Sequence, residues 1–163
     1  MESEREEVYV SLRLAHGDIE NVIRYLNLAK TENDPTLKSL IVRYCVIEYA
    51  KPFKTSWGVF RKKFKPLDAA TVFPEGNPDH ETLITERDQR IAHGDITAYN
   101  PKLHYWSELD IFPIVQRSSH LCDNIAQLIE KMEILCDIVG RYLVNSLTAM
   151  ETELREDIKK NHS

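Results

Sequence analysis

The chain has 163 residues, 42% of them hydrophobic and 29% charged, and its formal net charge is −5. A chain of this length buries roughly 70% of its unfolded surface around one core, so a single domain over 1–163 is expected; five glycines and seven prolines are too few for a loop-rich β-sandwich or a linker. Three cysteines without paired spacing argue against a disulfide framework and fit the cytoplasm, the acidic start MESEREEVYV lacks the apolar core of a signal peptide, the longest charge-free run, Tyr142–Met150, falls short of the ~18–20 residues of a membrane span, and the acidic balance disfavours a protein that coats nucleic acid indiscriminately.

Val8, Leu12, Ala15, Ile19, Val22, Leu26 and Ala29 alternate steps of four and three, the stripe of a helix facing a core. Ser3 and Glu6 have the spacing of a capping box at its start. Asp34-Pro35 opens a second helix, an N-cap acceptor followed by the residue best tolerated in the first turn. Leu37, Leu40, Ile41, Tyr44, Cys45, Ile47 and Glu48 continue it, and Pro52 stops it by driving the preceding residue out of the α region.

Residues 51–65, KPFKTSWGVFRKKFK, carry six basic side chains (Lys51, Lys54, Arg61, Lys62, Lys63 and Lys65) and no acid. Phe53, Trp57, Phe60 and Phe64 step by four, three and four. That is the spacing of a buried face on a short helix with a solvated basic back. The alternative is a groove that neutralises phosphates while a ring stacks a base, a contact worth about 1–3 kcal/mol. Since Coulomb attraction is local over a Debye length of about 8 Å, a +6 segment attracts RNA even within a chain of charge −5. Residues 66–76, with Pro66, Pro74 and Gly76, read as a loop.

Asn77-Pro78 repeats the cap-and-proline start, and a third helix is predicted over roughly 78–92, stopping at Gly94. Residues 95–115 have no sustained period and read as an ordered loop, with a short helical turn around Lys102–Trp106 or at Glu108. The last helix carries two stripes, Leu121, Ile125, Leu128, Met132, Leu135, Val139 and Tyr142, and Cys122, Ile129, Cys136, Leu143 and Met150. It therefore buries a wide face, and its polar end, about 151–163, is expected to fray. The fold class is all-α, a four-helix bundle with a long C-terminal helix and an ordered loop after the third helix.

Chemistry concentrates in ERDQRIAHGD, residues 86–95. Read plainly, it is a polar helix end with a C-cap glycine, where Arg and His suit the macrodipole. Arg87 and His93 lie about 120° apart around an ideal helix, so a site using both requires the helix to bend or loosen, or a second chain. His80, His93, Asp95 and His104 have no metal-ligand spacing, and no Gly-rich phosphate loop or serine elbow is present. No metal and no cofactor is expected.

The string ERDQRIAHGD resembles the signature of the HEPN superfamily, helical bundles that include metal-independent endoribonucleases, with Arg87, Asp88 and His93 in its Arg–polar–His places. His80-Glu81-Thr82-Leu83 and Tyr49-Ala50-Lys51-Pro52-Phe53 resemble its abortive-infection-type branch. Asp95 stands where some toxins of the superfamily carry a modified Tyr, so the resemblance implies no regulation by that route. It implies that Arg87 stabilises the scissile phosphate, that His93 moves protons between the ribose 2′-hydroxyl and the leaving oxygen, and that Asp88 orients the pair, at a composite site between two protomers. Such chemistry needs a proton acceptor near neutrality and a fixed donor fork, which His and Arg supply. Arg90, Lys51, Lys54, Arg61, Lys62 and Lys63 are the candidate RNA-binding residues. The expectation is a cytoplasmic, homodimeric endoribonuclease of toxin or phage-defence type, with an antitoxin or defence-system partner. The alternative is an inactive HEPN-like module that binds RNA, nucleotides or a protein.

Overall fold

The computed structural model describes residues 3–60, 63–92 and 124–161, with the side chains of 90–92 and 156–161 left aside. Helix α1 spans Glu4–Thr31. The Ser3 hydroxyl accepts the Glu6 N–H at 3.2 Å, which supplies the cap. Of the predicted stripe, Leu12, Ala15, Ile19, Val22, Leu26 and Ala29 are buried and Val8 packs at the margin. Helix α2, Pro35–Ala50, begins on an Asp34 carboxylate that accepts both Thr36 N–H and Leu37 N–H. It ends in a 3₁₀ turn, Lys51–Phe53, where Pro52 forbids continuation. The face it buries is Val42, Cys45, Val46, Tyr49 and Ala50, whereas Leu37, Leu40 and Tyr44 are exposed.

The segment predicted as a plain loop at 66–76 contains a helical turn, α3 (Ala69–Val72), which packs on the last helix. Leu67, Val72 and Phe73 are buried there, so an apolar triplet too short to show a period anchors the turn to the core. The predicted third helix does cover 78–92, but not as one regular α-helix. Helix α4 runs Pro78–Glu86 from an Asn77 cap, then widens into a π-helical segment, Arg87–Ala92. Helix α5, Ile125–Asn161, is the longest, about 55 Å at 1.5 Å per residue. It buries one seam lying between the two predicted stripes: Ile129, Met132, Leu135, Cys136, Val139, Leu143 and Leu147.

Helices α1 and α5 run antiparallel. Lys30 pairs with Glu133 at one end, while Tyr9 donates to Glu151 and Arg5 pairs with Glu153 at the other. These links explain why the acidic end stays helical past Met150, where the apolar stripe has run out. Helix α1 packs on both α2 and α5, and α2 backs α4 and the π segment. The described residues are thus mostly helix, with one isolated antiparallel bridge, Ser56 with Phe64. None of their helices is long and apolar enough to cross a membrane.

Candidate functional site

A cleft of about 620 Å³ opens where the middle of α1 meets the segment that follows α2. Val10, Leu14 and Ala15 of α1 form an apolar floor, Lys51, Pro52 and Lys54 one wall, and Ser56, Trp57, Gly58, Val59 and Phe64 another. Arg87, the first residue of the π segment, also lines it. The fold therefore brings Lys51 and Lys54 to the same cleft as Arg87, 33 residues further along the chain than Lys54.

Asp88 ties these groups together. Its Oδ2 accepts from Lys54 Nζ at 2.5 Å, and its Oδ1 accepts from Arg87 Nη1 at 2.9 Å. Burial raises the Asp88 carboxyl, but the hydrogen bonds from Lys54 and Arg87 outweigh it and hold the group below the ordinary carboxylate range. Asp88 therefore contributes stability above the usual carboxylate pKa, and loses it as pH falls through its lowered value. Its charge is constant across neutral pH. The two cations share one carboxylate, which leaves the triad with a single positive charge.

Lys51 is committed differently. Its Nζ lies 2.5 Å from the Glu48 carboxylate, which is buried in α2, and 3.9 Å from Asp18 of α1. Desolvation lowers the Lys51 ammonium, and the bond to Glu48 with its neighbouring charges more than offsets this. Burial raises the Asp18 carboxyl against the pull of Lys51. Two of the six positive charges of residues 51–65 are thus balanced within the fold; Glu48 lies three residues before Lys51, whereas Asp18 and Asp88 are remote in the chain and hidden from a local reading. Lys63 and Lys65 are exposed.

The segment 54–65 is not the short helix that its aromatic spacing allows. Ser56 N–H donates to Phe64 O at 2.7 Å and Phe64 N–H to Ser56 O at 3.0 Å, closing an antiparallel excursion. The Val59 and Phe60 N–H groups both donate to the carboxylate of Glu7, itself only 3% exposed in α1. These donors are the ones a helix would have used. In consequence the four rings part company: Phe53 is buried and Phe64 half-buried, while Trp57 and Phe60 are exposed. Sequence reasoning missed Glu7. Its partners are backbone amides, which leave no mark in the pattern of side chains.

His80 sits behind the cleft wall rather than in it. The ring is packed against Phe53 at 4.5 Å, Phe73 at 4.8 Å and Tyr49 at 5.8 Å between centroids. Tyr49 Oη and His80 Nδ1 lie 2.8 Å apart. Burial pushes the Tyr49 phenol up, so it stays protonated and donates, which assigns the imidazole proton to Nε2. Burial lowers the His80 pKa, Glu81 opposes this, and Lys54 adds to it. The native ring is neutral, so the stability it contributes is complete above the ordinary His value of 6.5 and falls away as pH drops below it. His80→Phe keeps the ring packing but orphans the phenol, at a cost of about 1–3 kcal/mol. The double variant His80→Phe/Tyr49→Phe removes both partners and is expected to recover most of that loss. Urea unfolding at pH 7.5 and 5.5 checks both statements, because the variants should also lose the His80 share of the pH dependence.

Of the other predicted site residues, Arg90 begins the second half of the π segment, and its side chain lies outside the described ones. Arg61, Lys62, His93, Asp95, the 95–115 loop and the predicted Lys102–Trp106 turn also lie outside the described residues, as do Leu121 and Cys122. Among the described residues no group of three His, Cys, Asp or Glu side chains is placed to hold a metal ion. The bend or loosening that a joint use of Arg87 and His93 requires near Ala92-His93-Gly94 falls largely outside the described residues, but the helix already widens from Arg87 to Ala92; π segments recur at functional sites because the wider turn frees a backbone group or redirects a side chain. Comparison with protein-family models, curated proteins and solved structures gives no match to the chain.

Proposed function

We propose that this chain is a metal-independent endoribonuclease of the HEPN type, a four-helix bundle acting as a homodimer in the cytoplasm, in a toxin or phage-defence role with an antitoxin or defence-system partner. The observation that carries the reading is the Lys54–Asp88–Arg87 triad at the lip of an open cleft, where α4 gives way to the π segment. In the proposed reaction Arg87 holds the non-bridging oxygens of the scissile phosphate with its planar fork. His93 takes the proton of the ribose 2′-hydroxyl, whose oxygen then bonds to phosphorus. The bond from phosphorus to the 5′-oxygen breaks, and that oxygen leaves with a proton supplied by a His, the second one coming from the partner protomer. The products are a 2′,3′-cyclic phosphate and a 5′-hydroxyl. Lys54, steadied by Asp88, adds positive charge beside the developing dianion.

The triad also supports a second reading, in which the same cations hold an RNA phosphate without cleaving it. The two separate in one assay. Purified protein incubated with RNA in EDTA is expected to produce fragments ending in cyclic phosphate, and His93→Ala is expected to abolish them while binding persists. Equal cleavage by wild type and His93→Ala sinks the site assignment. Binding without cleavage by the wild type selects the second reading.

A further inference from the structure

We propose that the cleft contains a nucleobase subsite in which the Trp57 indole stacks an unpaired base whose neighbouring phosphate rests on Lys54 and Arg87. This rests on the nucleotide-binding half of the function proposed above and adds the group that grips the base. Trp57 is 77% exposed although it belongs to a segment fixed at both ends, by the Ser56–Phe64 bridge and by the Glu7 carboxylate. The backbone that carries the ring is already ordered, so a planar partner gains contact without the cost of fixing the segment. The cleft it borders combines an apolar floor, with Leu14 67% exposed, and a cationic lip where two positive groups share the single charge of Asp88. Two carboxylates also line the cleft, but Glu7 is taken up by backbone amides and Asp18 faces Lys51, so the apolar surface and the net positive Lys54–Asp88–Arg87 lip match a base carrying a phosphate. An apolar peptide would leave the one positive charge that Asp88 does not balance facing no counterpart. Stacking tolerates any base, so the subsite grips without reading sequence.

The shared chemistry of a free nucleotide and an unpaired RNA residue is separated by the choice of probe. A fluorescent, single-stranded 2′-O-methyl oligoribonucleotide cannot undergo cleavage, and its anisotropy reports binding by full-length protein. Trp57→Ala is expected to weaken this binding about 5- to 150-fold, the span of one base stacked on a ring. Trp57→Phe and Trp57→Tyr are expected to restore most of it. Because the side chain is exposed, thermal unfolding should be unchanged in all three variants. Competition by a nucleoside 5′-monophosphate with the same Trp57 dependence assigns the subsite to free nucleotides as well; competition by the oligomer alone assigns it to RNA. Binding by Trp57→Ala within twofold of wild type, or a Phe variant no better than Ala, overturns the subsite. A wild type that binds with this dependence but does not cleave removes the nuclease and keeps the subsite. Cleavage by a wild type whose binding is indifferent to Trp57 does the reverse.

Discussion

Arg87→Ala is expected to lower the rate of RNA cleavage about 10²–10³-fold, the loss that follows removal of one preorganised donor from a developing oxyanion. The fold should tolerate the change. The Arg87 side chain is about one-quarter exposed, it pairs with Asp88, and Asp88 keeps its bond to Lys54 when the guanidinium is gone. Arg87→Lys discriminates between charge and geometry. It retains the positive charge but replaces a planar fork with a point charge, so it is expected to restore RNA binding more fully than cleavage. In a salt titration, the slope of log affinity for single-stranded RNA should fall by about 0.7 in the Ala variant and remain near wild type in the Lys variant. Cleavage by Arg87→Ala within threefold of wild type would falsify the placement of the scissile phosphate. Across pH 6–8 the profile should reflect a His and not Asp88, because the bonds from Lys54 and Arg87 hold that carboxyl ionised well below neutrality.

The helices were legible wherever a local rule suffices. The α1 stripe, the Asp34-Pro35 and Asn77-Pro78 starts and the stop at Pro52 are each written within a few residues and appear where expected. Legibility ended where a partner distant in sequence decides the outcome. The rings from Phe53 to Phe64 have helical spacing, but Glu7, about fifty residues away, captures the Val59 and Phe60 amides and makes that helix unavailable. The +6 of residues 51–65 resembled a free basic surface, yet Glu48 and Asp18 hold Lys51 and Asp88 holds Lys54. The resemblance implies that Asp88 orients the pair of Arg87 and His93. One carboxylate oxygen bonds Arg87 and the other Lys54, which the sequence offers as an RNA-binding residue and not as a partner of Asp88, while His93 lies outside the described residues. The change of helix type within 78–92 was not legible either: the apolar period continues through Ile91, but the backbone changes hydrogen-bond register at Arg87.

Glu7→Gln is expected to lower stability by about 2 kcal/mol, at the lower end for losing charge-assisted bonds to two backbone donors, which corresponds to a fall of about 4–8 °C in Tm for a chain of this size. The substitution preserves shape. It exchanges a carboxylate whose two oxygens both face N–H groups for an amide that presents donors of its own to the same amides. Most of the loss should be local, because the Val59 and Phe60 amides can turn to water once the segment lifts from α1. Their hydrogen exchange should therefore quicken by more than that of the buried α1 and α5 amides. The functional consequence follows from position. Glu7 lines the same cleft with its carboxylate turned to the Val59 and Phe60 amides, and it fixes the segment that presents Trp57, so Glu7→Gln is expected to weaken oligonucleotide binding nearly as much as Trp57→Ala does. In the Glu7→Gln/Trp57→Ala double variant the two losses should fail to add, since an unlatched segment has no ring left to misplace. Full additivity, or unchanged exchange at Val59 and Phe60, would show that the carboxylate stabilises α1 without governing the cleft.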